Sequence, residues 1–124
     1  MADDPRAHVQ AICLALPETT AAGDQQLTFQ VRGRTFAYYL DDRHGDGRIA
    51  LCCKAAPGEN AELVASDPER FYLPSYVGPK GWVSPRLDLG EVDWGEAAEL
   101  VLDSYRLVAP RRLAALADQS GPMA

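Results

Sequence analysis

The stretch FYLPSYVGPKGWVSPRLDL, residues 71–89, decides how the chain is organised. Three prolines and two glycines stand around Trp82 in this short span, a composition that is costly unless the backbone must follow one particular path. Trp82-Val83 and Leu87-Asp88-Leu89 carry strand character on both sides of Ser84-Pro85. Because proline donates nothing to a ladder, a strand here is expected to be bulged or to lie at an edge.

Helical patterns flank the stretch. Downstream, Asp93 and Glu96 form a capping box with Val92 placed to staple onto Ala97, and the apolar spacing continues to about Val108. Pro110 then opens a short helix over Arg111–Ala117, and residues 118–124 are expected to fray. Upstream, Pro57 opens a helix that Asp67-Pro68 interrupts.

Strands precede that helix. Leu27–Val31 and Thr35–Leu40 are rich in β-branched and aromatic residues and are separated by Arg32-Gly33-Arg34, which predicts a hairpin. Alternation sets Leu27, Phe29 and Val31 on one side, with Phe36, Tyr38 and Leu40 as the matching set. After the polar turn Asp41–Gly47, Arg48–Lys54 reads as a third strand with Ile49, Leu51 and Cys53 facing one way. At the start of the chain, Asp4 caps and Pro5 opens a helix expected to run to Leu16, and Glu18–Gln26 reads as a polar connection. The pattern is that of a single α+β domain over residues 1–118 with a tail at 119–124, an antiparallel β-sheet carrying helices on one face.

Composition narrows the function classes. The 124 residues are 47% hydrophobic and carry a net charge of −6, as in an ordinary globular domain. The segments read as strands are the positive ones: residues 27–56 hold a net +2 and 79–90 a net +1. No secretory pattern or membrane-spanning run is visible, so a cytoplasmic location is expected. Cys13, Cys52 and Cys53 read as buried reduced thiols, with Cys52 and Cys53 on opposite faces of one strand. The histidines, His8 and His44, adjoin no cysteine and have no evident nucleophile partner. Neither an enzyme nor a metal or other cofactor is expected.

Leu14–Pro17, Phe36–Leu40, then Phe71, Pro74, Tyr76, Gly81, Trp82, Val83 and Leu87, and finally Glu99, Ser104 and Tyr105 form an ordered set that resembles the MmcQ/YjbR family over roughly residues 6–117. The resemblance implies a frataxin-like arrangement and double-stranded DNA binding through a double wing of two hairpins. On this reading Arg32, Gly33 and Arg34 form one wing tip and Arg43 and Arg48 flank the other, with Lys54, Lys80 and Arg86 as flanking contacts. A second reading has Tyr38, Tyr72, Tyr76 and Trp82, with Tyr39 and Trp94, line a site for a small aromatic ligand. A third lets the acidic face Glu96, Glu99 and Asp103 meet a basic protein. A monomer is expected.

Overall fold

The computed structural model describes residues 4–24, 26–41, 47–74 and 77–120. Asp4 caps helix α1 (Pro5–Leu14), its carboxylate accepting from the Arg6 N–H at 3.0 Å, and the helix buries Val9 and Cys13. Six strands follow in one sheet: β1 (Thr19–Gly23), β2 (Leu27–Val31), β3 (Arg34–Asp41), β4 (Ile49–Lys54), β5 (Phe71–Tyr72) and β6 (Trp82–Pro85). Their order is β1-β2-β3-β4-β6-β5, and every adjacent pair is antiparallel. Helix α2 (Glu59–Ser66) links β4 to β5, and a 3-10 turn (Gly78–Lys80) precedes β6. Helix α3 (Trp94–Val108) and helix α4 (Arg111–Ser120) complete the chain. Val9 and Cys13 of α1, Val101 and Tyr105 of α3 and Leu113 and Ala117 of α4 join Phe29, Leu51, Cys53, Phe71 and Val83 in one core on the helix-bearing face. Among the described residues no helix is long and apolar enough to cross a membrane.

Four expectations are corrected. Thr19–Gly23 is an edge strand instead of a polar connection; it is almost wholly exposed and shows no alternation, and it exists because the rim of β2 offers N–H and C=O groups that need partners. Phe36, Tyr38 and Leu40 do not share a face. Phe29 pairs with Ala37 while Gln30 pairs with Thr35, which leaves Phe36 as the extra residue of a bulge. Phe36, Ala37 and Tyr39 therefore enter the main core, whereas Tyr38 and Leu40 turn to the opposite face and join Cys52 and Trp82 there. Leu87–Leu89 is not a strand. After Pro85, which pairs with Phe71 at the outer rim, only an isolated bridge joins Arg86 to Ala50. Finally, α4 continues to Ser120, and Asp118, expected to fray, accepts from the Arg106 guanidinium at 2.6 Å.

The Ser104-Tyr105 pair binds these parts together. One residue past the last β3–β4 pair, Ala37 with Cys53, the Ser104 hydroxyl donates to the Phe36 carbonyl at 2.6 Å while accepting from the Lys54 N–H at 2.9 Å. The Tyr105 ring lies edge-on to Phe36 at 5.2 Å, and its hydroxyl donates to the Pro17 carbonyl at 2.7 Å.

Candidate functional site

The β2–β3 connection is a two-residue turn in which Arg32 and Gly33 both take positive φ, 51° and 79°. That is the type I′ geometry whose twist matches a hairpin, and glycine supplies it at one of the two positions without strain. The turn projects Arg32 and Arg34 outward, but they differ in state. Arg32 donates to both Glu18 carboxylate oxygens, at 2.6 and 3.1 Å, and the hydrogen bond and charge of Arg32 hold the Glu18 carboxyl below its ordinary pKa. Arg34 is exposed and joins no ion pair among the described residues.

A strand separates the two wing tips. The β2–β3 turn lies at the start of β3 and the β3–β4 connection at its end, so eight residues of extended chain, about 24 Å, stand between them. Arg43, in the second connection, lies outside the described residues. Arg48 and Arg86 belong to that far end, and both are engaged. Arg48 stacks over the Tyr72 ring at 4.4 Å, and Arg86 forks onto Asp88 at 3.0 and 2.8 Å, which lowers the Asp88 pKa.

Lys54 and Lys80 belong to the near end. Val108, Ala109 and Pro110 share a depression of about 330 Å³ with Arg32 and Arg34, while the adjacent Leu107 shares a groove of about 620 Å³ with Lys54 and Lys80. The end of α3 thus connects both sets of cations. Arg111 and Arg112, in the first turn of α4, extend the same strip, and Arg112 is near enough to help depress the Glu18 pKa. Arg34, Lys54, Lys80, Arg111 and Arg112 take part in no ion pair among the described residues. Asn60 fixes Lys80 in place. Its buried amide donates to the Gly78 and Trp82 carbonyls at 3.0 and 3.1 Å and so holds the 3-10 turn against β6.

The aromatic set is divided. Tyr38 packs against Trp82 with ring centroids 5.4 Å apart, in the small cluster with Leu40, Cys52 and Val77 on the face away from α1 and α3. Trp82 is only 8% exposed. Tyr72 lies under Arg48, Tyr39 is in the main core, and Trp94 stacks on His8 at 4.2 Å beside α1. Tyr76 lies outside the described residues. On the acidic face, Glu96 pairs with Arg70 and Asp103 with Arg106, while Glu99 is exposed.

Arg111 and Arg112 were not singled out from the sequence, although a signal for them exists. Two cations in the first turn of a helix oppose its dipole, and an acidic residue would ordinarily stand there. Leu73 and Leu107, which line the groove with Lys54 and Lys80, carry no comparable signal.

A helix-backed antiparallel sheet of six strands, with a signature Ser-Tyr pair tying α3 to a bulged strand, defines a small α+β domain class. The chain belongs to the YjbR family, whose model matches residues 14–107. It is similar to the crystal structure of Deinococcus radiodurans protein DR2400, which bears the family-model domain DUF419, with a TM-score of 0.68 and 26% identity over 90% of this chain and 84% of that one. No curated protein matches the chain.

Proposed function

We propose that this protein is a binding module, not an enzyme, and that it grips the phosphate backbone of double-stranded DNA with one end of its sheet. The observation that carries the reading is the strip of cations, Arg34, Lys54, Lys80, Arg111 and Arg112, around the end of α3, which take part in no ion pair among the described residues. Phosphates need donors that are not already committed, and guanidinium groups fork two hydrogen bonds onto one phosphate. Only the β2–β3 wing takes part. The second hairpin is about a strand's length away and its described cations are engaged, so one duplex is held from a single side. Contacts of this kind position the duplex and read no bases. Binding in place of catalysis is supported by the thiols: Cys13, Cys52 and Cys53 are all buried, and desolvation raises the pKa of Cys13 and Cys53 far from the reactive range.

Fluorescence anisotropy of a short labelled duplex, titrated at about 50 and 200 mM salt, tests the reading. Three to five phosphate contacts at about −0.9 each give a log-log salt slope of roughly −3 to −4.5. Arg34→Ala/Arg111→Ala/Arg112→Ala is expected to flatten the slope, and Arg48→Ala to leave it unchanged. Absence of binding at the lower salt, or equal loss in the Arg48 variant, defeats the proposal.

A further inference from the structure

Two exposed leucines from distant parts of the chain, Leu73 at 49% and Leu107 at 47%, both line the groove of about 620 Å³ at the cationic end. Pro57 and Pro79 add apolar wall, and Lys54 and Lys80 complete the lining with two ammonium groups that form no ion pair among the described residues. Small-ligand sites commonly enclose about 300–1,000 Å³, with mostly apolar walls and a few convergent polar groups. Solvated leucines gain by losing water, at about 25 cal/mol per Å² of apolar surface covered, and the lysines select the sign of whatever covers them.

We propose that this groove binds a small amphipathic carboxylate, its apolar body between Leu73 and Leu107 and its anionic head on Lys54 and Lys80. The charge argument excludes a cationic or purely aliphatic occupant. Shape argues for a small molecule, because the lining converges on a concavity from the end of β4, the start of α2, Leu73, residues 78–81 and the end of α3. The floor is held by Asn60, which fixes the 3-10 turn through the Gly78 and Trp82 carbonyls and leaves none of its own amide atoms unpaired, since its oxygen accepts from the Ala61 N–H at 2.9 Å. Asn60 is therefore a positioning residue. The inference shares Lys54 and Lys80 with the DNA reading but does not rest on it.

Isothermal titration calorimetry with sodium decanoate, kept below its micelle concentration, and with acetate as the control, tests the proposal. Decanoate is expected to bind saturably at one site and acetate not at all, since acetate lacks the apolar body. Lys54→Ala and Lys80→Ala should each weaken decanoate about tenfold, the loss of one charge-assisted contact. Leu73→Ser and Leu107→Ser should weaken it to a similar extent. Both leucines are about half exposed, so these variants are expected to stay folded, which their thermal unfolding checks. The two readings separate cleanly: the leucine variants keep DNA binding because no charge changes, and Arg34→Ala/Arg111→Ala/Arg112→Ala keeps decanoate binding. Decanoate binding that is absent, or unchanged in both the lysine and the leucine variants, overturns the proposal. Binding of hexaglutamate with no response to decanoate overturns it too and gives the groove to an acidic protein partner.

Discussion

Ser104→Ala removes one oxygen and strands two backbone groups. The Ser104 hydroxyl has no exposed surface; it donates to the Phe36 carbonyl and accepts from the Lys54 N–H, bridging β3 and β4 one residue past their last pair. Alanine fits the site, so the cost is almost purely that of lost hydrogen bonding. A buried backbone group left without a partner costs about 1–3 kcal/mol. Lys54 is only partly buried and can recover some solvation, so the two together are expected to cost about 2–4 kcal/mol. Against the total stability of about 5–15 kcal/mol usual for a domain, this is a large fraction. With about 2.1 cal/mol/K of unfolding entropy per residue, the same loss lowers Tm by roughly 8–15 °C. Urea unfolding followed by tryptophan fluorescence measures it directly. Thr35→Ala, one residue from the bulge, serves as the control: it removes a half-buried bond from the Gln30 amide at 3.1 Å and is expected to cost less than about 1 kcal/mol. A loss below about 0.5 kcal/mol for Ser104→Ala would show that the Phe36 carbonyl and the Lys54 N–H find other partners and would refute the reasoning.

Two further outcomes are expected. The Glu18 carboxyl titrates below its ordinary value because Arg32 hydrogen-bonds to it. A carboxyl with a depressed folded pKa contributes stability above its unfolded pKa, and that contribution disappears as pH falls through the folded value. A carbon-detected NMR titration should find Glu18 restored to its ordinary range in Arg32→Ala; an unmoved Glu18 would mean that the pair is not formed in solution. All three thiols are buried, with those of Cys13 and Cys53 further held protonated by desolvation, so a chromogenic disulfide reagent should modify none of them in the folded protein and all three after denaturation. Fast labelling of any one under native conditions contradicts the burial.

Local patterns revealed the helices and the central strands because each signal is carried by neighbours in the chain. Asp93 caps α3 by accepting from the Glu96 N–H, as the capping box predicts, and Ile49, Leu51 and Cys53 enter one core as alternation predicts. The misreadings arose where a distant partner decides. β1 carries no alternation of its own and is a strand because β2 needs a neighbour. Phe36 shifts the parity of β3 as the extra residue of a bulge against β2, and the Ser104 that takes its carbonyl stands 68 residues further on. The candidate site suffered most from this. Hairpins can be recognised locally, but which end of the sheet each occupies follows from strand order, and that order separates Arg32 and Arg34 from Arg48 while bringing Lys54 and Lys80 to the end of α3.

Ser104 lies one helical turn before Leu107, and the N–H that its hydroxyl accepts belongs to Lys54. One hydrogen bond therefore ties the backbone of Lys54, on the β4 side of the groove, to the turn of α3 that precedes Leu107. This wall is preorganised. A molecule that enters meets the Lys54 backbone already held against α3, and each side chain it immobilises costs about 0.5–1.5 kcal/mol. Complexes formed against such a wall are expected to associate without waiting for a backbone rearrangement, so differences in affinity among ligands should be expressed mainly in how fast they leave.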